Sequence, residues 1–597
     1  MWLTSLVISI GCLILPVVAV VVFLSSSHRK KKPRVKIFNV MFAGTFLANL
    51  VMFFPIHGSS AEATFWGGLR TVLLSVFHSM QVFTIGCDFS VVRDSIQFCP
   101  EGMDVWYLLW ASALYVLAPI FTFGFVLSLF KNLTAYLKYI QFYFREAYIF
   151  SQLNEKSLSL AEDLNAKHDR AVIVFTDVFE ENQDGISELI EAAERIGAIC
   201  FKKDITIVDF KKHSKRKPIS FFAIGENESD NLDQAITLID LYRTRKDTHI
   251  YVFSKKIESE LLLTAVDKGQ VKVRRINEVQ SLVNRLLYES GNTLFESARE
   301  TKEGSKKISA VVIGMGCHGT EMVKALSWFG QMDGYELEIH GFDKDPLALE
   351  KFTALAPELM SADYNGVYVE GEARYRITIH PGMDVDSITF AEEIAKIHDT
   401  TYVVVALGND DVNIGTAVKL RMYFERMKIH PVIHAIVYNS NQKKALEGIK
   451  NYRGQSYDIQ FIGDVESSYT EAVIIDSELE DDALKIHMKW GKEDEFWTYE
   501  YNYRSSMASA IHMKARIACR IPGADKKETE LSQQERDTIE VLEHRRWNAY
   551  MRSEGYVFSG SKDKSSRNDL GKMHHDLVDF SSLSEEEKRK DSKVGTK

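Results

Sequence analysis

Apolar positions fall in long unbroken runs at the start of the chain and in short β-branched runs, each followed by a helical period, over the rest. Residues 3–24 hold no charge over about 22 positions, long enough for a bilayer-spanning helix. No basic stretch precedes them and no small-residue cleavage pattern follows, so a retained span is expected rather than a removable signal. Residues 37–55 predict a second span. Residues 105–130 predict a third, opened by Trp106, Tyr107 and Trp110 as interfacial aromatics. Residues 64–92 are apolar in part but include Arg70, His78, Gln81 and Asp88, which predicts a partial or re-entrant segment. Within it, Thr84-Ile85-Gly86-Cys87-Asp88 lacks the run of inward carbonyls an ion filter needs and reads as a polar kink. The basic cluster from His28 to Arg34, with Lys131, Lys138 and Arg145, places the domains after residue 130 in the cytoplasm. The alternative is four spans, with the N-terminus inside and the cluster outside.

Beyond an amphipathic helix expected at 134–153, strand and helix patterns alternate, and they do so twice. Runs at 147–151, 171–175, 219–224, 249–253 and 271–275 are answered by runs at 308–313, 336–342, 402–407, 432–437 and 459–462. Alternation of this kind predicts two α/β domains, each on a parallel sheet. The repeat pairs Asp177 with Asp343, and Asn231 with Asn413.

The second copy carries the clearest chemistry. The strand ending at Ile313 runs straight into Gly314-Met315-Gly316-Cys317-His318-Gly319 and then a helical period. This is the order of a dinucleotide fingerprint. Gly314 permits the tight turn, Gly316 lets backbone N–H groups approach a diphosphate, and Gly319 lets helix and strand pack closely. The next strand ends at Asp343, roughly 24 residues past Gly319, where an acid receives ribose hydroxyls. In the first copy Ser151-Gln152-Leu153-Asn154-Glu155-Lys156 replaces the glycines. Without glycine the backbone stands farther from a phosphate, and Glu155 repels it. That degenerate site leaves open a smaller nucleotide, a dinucleotide in another pose, or no ligand.

A net charge of −10 argues against nucleic acid as a partner. The six cysteines are scattered, with no CxxC and no histidine at ligand spacing, which fits a reducing compartment and offers no metal site.

Residues 309–445 resemble the TrkA-N, or RCK, nucleotide-binding units of potassium-transport regulators. The resemblance rests on the three glycines, Asp343-Lys344-Asp345, and Gly408 followed by Asp410-Asp411-Val412-Asn413. It implies a Rossmann-like fold that holds NAD(H) or an adenine nucleotide (ATP or ADP). Gly408, Asp411 and Asn413 would line the site, with Asn231 as the counterpart in the first copy. Two units in one chain are similar to the tandem units of channel-gating rings, which implies a homo-oligomer. Residues 535–592 resemble an RyR domain, a small all-α module also found in bacterial proteins. The matching residues are His544 and Trp547, Gly555-Tyr556, Lys572-Met573-His574-His575-Asp576-Leu577-Val578, and Leu583 to Lys588. Tyr556 stands where Trp is commoner, and His575 where Pro is. Trp547, Tyr556, Arg567 and His574 are either a pocket for a nucleotide-like ligand or the module's own small core.

The expected order is therefore a membrane region over 1–130, a degenerate Rossmann/RCK-like domain over 131–290 and a nucleotide-binding one over 305–500. A connector (501–530), the RyR module (535–592) and an unstructured tail follow. The function expected is a nucleotide sensor integral to a bacterial plasma membrane, whose ligand state regulates ion transport, potassium first. A sibling reading is a membrane effector opened by a nucleotide signal in stress or phage defence. The rival class is an NAD-dependent oxidoreductase. The chain assigns it no catalytic residue: little sequence remains for a substrate domain, and His318 sits too close to the phosphates to act as a base.

Overall fold

The computed structural model describes residues 1–26, 37–59, 61, 63–84, 86–129, 133–179, 185–302, 304–368, 374–475 and 477–596. The basic cluster, Lys131 and Ile85 lie outside them. The chain divides into two compact units, the first made mainly of residues 1–141.

That first unit is helical: α1 (Trp2–Ser26), α2 (Ile37–Gly58), α3 (Phe65–Phe83) and α4 (Asp104–Leu129). Two stretches, Met41–Gly58 and Asp104–Phe123, are long and apolar enough to cross a membrane by length and composition. The described apolar part of α1 is shorter, Trp2–Leu15. The interior of this unit is mainly apolar, with Met52, Phe53, Tyr107 and Leu114 buried, but it also encloses polar side chains, and large apolar ones lie outside. Ser9, Thr45, Asn49, Ser75 and Ser79 are buried, whereas Leu3, Val7, Leu15, Leu109, Val116 and Phe123 are exposed. Buried hydroxyls bond across helices: Ser9 Oγ donates to Ala48 O at 2.7 Å and accepts from Trp110 Nε1 at 2.8 Å.

The second unit holds two large parallel sheets of one topology. The first comprises β1 (Ala147–Phe150), β2 (Val172–Phe175), β3 (Ile199–Cys200), β4 (Ile219–Ala223), β5 (Thr248–Phe253) and β6 (Lys272–Ile276). Its order is β3-β2-β1-β4-β5-β6, with α5 (Glu155–Lys167), α6 (Glu228–Tyr242) and α7 (Glu278–Ser290) among its crossovers and flanks. After the two-residue β7 (Arg299–Glu300), antiparallel to β8, the second sheet repeats the pattern. It is built from β8 (Lys306–Ile313), β9 (Tyr335–Phe342), β10 (Arg376–His380), β11 (Tyr402–Val405), β12 (Val432–Ile436) and β13 (Ile459–Ile462), ordered β10-β9-β8-β11-β12-β13. Helices α8 (Cys317–Phe329) and α9 (Asp410–Arg426) follow β8 and β11. The central strands are buried on both faces, which accounts for their unbroken apolar runs. In each sheet the order of strand addition reverses between the parallel first and fourth strands, and ligands of such sheets bind outside the carboxyl ends at that point.

The two sheets exchange elements. Helix α7 leaves the first sheet and packs Val283, Leu286 and Leu287 into the core formed by Met322, Leu326 and Phe329 of α8. In return, the turns Val465–Ser468 and Glu471–Ile474, which follow β13, add Tyr469 and Ile474 to the first sheet's core. His168 Nε2 and Glu471 Oε1 lie 2.5 Å apart, and Asp163 Oδ2 accepts from Glu471 N–H at 2.7 Å.

The C-terminal region comprises α10 (Glu478–His487), α11 (Glu500–Ala518), α12 (Gln533–Ser553), β14 (Val557–Phe558), β15 (Met573–His574) and α13 (Glu585–Val594). Several expectations change here. The connector, read as helical, is the helix α11, but it is buried rather than a linker, with Ser506, Ile511 and His512 fully enclosed. Ile539, Leu542, Tyr550 and Met551 of α12 join the second sheet's core. The β14–β15 ladder makes this region mixed rather than all-α. The helix expected at 134–153 ends at Ile140 and β1 begins at Ala147, while helix α13 runs past Asp591 into the expected tail.

Candidate functional site

The glycine turn lies at the carboxyl edge of β8, and each glycine has its own physical reason. Gly314 has φ +93°, and a Cβ there would stand 2.5 Å from Ala406 O. A Cβ on Gly319 would lie 1.7 Å from Gly314 O, so only a bare α-carbon lets α8 sit this close to the turn. At Gly316 the position is open, and an added Cβ would meet nothing within 4 Å. Gly316 is the N-cap of α8, and no side chain caps that helix. The first N–H groups of a helix need acceptors, and here they face open space at the positive end of the helix dipole.

Asp343 braces this turn from the end of β9. Its Oδ2 accepts from Met315 N–H at 2.6 Å, and its Oδ1 from Asp345 N–H at 2.8 Å. A carboxylate oxygen has a second acceptor position, so both oxygens keep capacity for ribose hydroxyls. Gly408 (φ +80°) turns the chain after β11, and Asp411 beside it is exposed, within 3.3 Å of Gln442 Nε2. Asn413 departs from its expected role. It is fully buried, accepts from Leu407 N–H at 2.7 Å and donates to Ile436 O at 2.8 Å. Asn231 repeats this in the first sheet, accepting from Gly225 N–H at 2.7 Å and donating to Phe253 O at 2.9 Å. Both asparagines lock the loop after the fourth strand to the fifth strand; they frame the site and do not line it.

The first sheet fills the matching space with its own side chains. Asn154 caps α5 by accepting from Ser157 N–H at 2.9 Å, and Ser157 Oγ closes the capping box. Gln152 Oε1 accepts from Glu226 N–H at 3.1 Å, and Ser151 Oγ from Ile224 N–H at 3.0 Å. Asp177, at φ +52°, donates its N–H to Lys203 O at 2.7 Å. The helix end that would receive a phosphate is already satisfied.

Sequence reasoning missed a cavity of about 290 Å³ where the carboxyl edges of the two sheets meet. Lys156, Lys255 and Glu278 reach it from the first sheet, His318 and Tyr438 from the second, and Tyr469 from the exchanged turn. Lys156 Nζ bonds Glu278 Oε1 at 2.7 Å, and Tyr438 Oη lies 3.1 Å from His318 Nε2. Burial, with the Lys255 charge adding to it, lowers the His318 pKa to about 4, so this ring is neutral at physiological pH. The only early signal was position: His318 lies inside the glycine turn, and Tyr438 is two residues past the end of β12.

A second cavity, of about 470 Å³, brings together three of the four residues expected in the C-terminal pocket: Trp547, Arg567 and His574. The Trp547 and His574 rings meet edge to face at 4.9 Å. Burial first, then the Arg567 charge, lowers the His574 pKa to about 3. Tyr556 is not in the cavity wall; it is buried in the core beside Tyr501, with ring centroids 5.9 Å apart. The chain matches no protein-family model, and no curated protein matches it.

Proposed function

We propose that this chain is a membrane-anchored nucleotide sensor, in which the glycine turn of the second sheet takes NAD(H) or an adenine nucleotide such as ATP or ADP. The observation that carries the reading is the contrast between two copies of one topology. One helix N-terminus is capped by Asn154 and Ser157; the other begins at a bare Gly316 that opens on solvent, with a carboxylate at the end of the next strand. A diphosphate on the α8 N–H groups and a ribose on Asp343 use that arrangement fully. An acid at this place disfavours a 2′-phosphorylated cofactor. The far half of a dinucleotide would run past His318 toward Tyr438 and the cavity between the sheets, where Lys156 and Lys255 stand.

The N-terminal unit supports a membrane anchor, since large exposed apolar surface around helices tied by buried hydroxyl bonds suits a lipid surround. On this reading the second sheet is an RCK-type regulatory unit and the C-terminal helices are an RyR-type module. The chain works as a homo-oligomer of a bacterial plasma membrane, with ion flux, potassium first, as the regulated output. Such coupling requires different ligand affinities in two states, typically worth about 1–3 kcal/mol.

Calorimetry on the detergent-solubilised full chain with NADH, NAD, ATP, ADP and ADP-ribose tests the site. At least one ligand should bind, and Gly316→Glu should abolish that binding by placing a carboxylate in the phosphate position. Equal binding by the variant refutes the assignment. Absorbance of bound NADH that stays unchanged when carbonyl or other hydride-accepting substrates are added separates a sensor from an oxidoreductase.

A further inference from the structure

The C-terminal cavity has features its core packing does not explain. Arg546 is fully buried on its wall, and its charge is only partly matched. Its Nε donates to Glu543 Oε2 at 3.1 Å, and its Nη2 to Glu543 Oε1 at 2.8 Å and Ser509 Oγ at 3.1 Å. Arg546 Nη1 is buried with no partner. Glu543 is shared with a second buried guanidinium, Arg516, which also donates to it. The acids on the wall are already engaged: Asp576 with His575 at 3.3 Å, Glu587 with Lys564 at 3.0 Å and Lys590 at 2.7 Å, and Asp591 with His544 at 3.4 Å. A second orphaned atom, His575 Nδ1, lies on the same wall. A buried guanidinium N–H with no acceptor is costly, and such groups are rare unless something fills the space beside them.

Aromatic surface completes the site. Trp547, Tyr501 and His574 line the cavity, and the Arg567 guanidinium stands 5.6 Å over the Tyr501 ring at its edge. The volume of about 470 Å³ falls among small-molecule sites, which span roughly 300–1,000 Å³. We propose that this cavity is a second ligand site, separate from the glycine turn, for a nucleoside phosphate: a planar heterocycle among Trp547, Tyr501 and His574, and an anion on Arg546 and Arg567. A planar ring uses the aromatic walls, and a phosphate gives Arg546 Nη1 the acceptor it lacks. The sequence offered Trp547, Arg567 and His574; Arg546 and Tyr501 complete the set. The site stands whether or not the glycine turn binds a nucleotide.

Hydrogen-exchange mass spectrometry on the intact chain, with AMP, GMP, ADP-ribose or inorganic phosphate added, locates binding and keeps the two sites apart. The expected result is slowed exchange over residues 543–576 with at least one nucleoside phosphate, and less or none with phosphate alone. Arg567→Ala and Lys564→Ala stand on partly exposed side chains and leave the core intact. Arg567→Ala should weaken the protecting ligand at least tenfold. Lys564→Ala, whose side chain pairs with Glu587, should weaken it by less. Trp547→Leu should remove the preference for nucleoside phosphate over phosphate. The proposal is overturned if no probe protects residues 543–576, if protection appears only over 314–326, or if phosphate alone protects as well as the nucleotides.

Discussion

Gly316 and Gly319 stand three residues apart at one helix start, yet alanine at each should fail differently. At Gly319 the new methyl would lie 1.7 Å from Gly314 O and 2.8 Å from Gly314 C, so the helix and turn must separate. Overpacking against a well-packed core costs about 1–3 kcal/mol, and contact with backbone places this case at the top of that range. Gly319 lies inside α8, where alanine returns about 1 kcal/mol of helix propensity. The net loss is therefore about 2 kcal/mol, or roughly 30-fold faster opening. At Gly316 alanine meets nothing within 4 Å, and its stability cost should stay within about 0.5 kcal/mol. The same methyl stands where a diphosphate would approach, so nucleotide affinity should fall at least tenfold. Native-state hydrogen exchange of β8 and α8, beside calorimetry with the tightest ligand, reads both quantities. If Gly316→Ala loosens β8 as much as Gly319→Ala does, or leaves affinity intact, the division of labour among the glycines is wrong.

Asn154→Ala removes the α5 cap and the bond from Asn154 Nδ2 to Ile224 O, which should cost about 1–2 kcal/mol in the first sheet. Hydrogen exchange of β1 should report that loss, with nucleotide binding unchanged. His434, fully buried in β12, has neither ring nitrogen partnered, and burial lowers its pKa to about 4. His434→Phe should raise the melting temperature at neutral pH. In the wild type the unfolded chain takes a proton near pH 6.5 that the folded chain refuses until about pH 4. Stability is therefore lost as pH falls through that window, and the variant's advantage should widen between melting curves at pH 7.5 and 4.5. Glu480, buried in α10, accepts from Arg274 of β6 and from Tyr503 of α11. Glu480→Gln leaves the Arg274 charge without its partner, at a cost toward the low side of about 3–5 kcal/mol. Limited trypsin digestion should then cut faster near residues 478–500.

Strand pattern and repeat were legible because central parallel strands buried on both faces must be apolar throughout; ten of the twelve strands that order the two sheets were read, the less buried β6, β9 and β13 from their place in the repeat. The two that escaped are the third strand of each sheet. Ile199–Cys200 is only two residues long, and Arg376–His380 alternates with exposed Arg376 and Thr378. The glycine turn was legible because each glycine answers to a steric demand within its own neighbourhood. Asn413 misled because an amide that tethers two loops and an amide that touches a ligand look alike in sequence. The cavity between the sheets was invisible, since Lys156, Glu278 and Tyr438 come together only through long-range packing. The start of helix α12 is written locally, since Ser532 and Glu535 spell its capping box.

The exchanged elements fix an order of assembly. A chain leaving the ribosome completes β1 to β6 long before Tyr469 and Ile474 exist to cover them, so the first core stays unfinished while the second sheet is being made. Its α7, meanwhile, has its apolar face turned toward partners not yet synthesised. The two sheets are thus not successive beads that fold as they emerge. The first core waits for residue 475 and the second for α12, and a stop in translation before those points leaves an open hydrophobic surface for chaperones to hold.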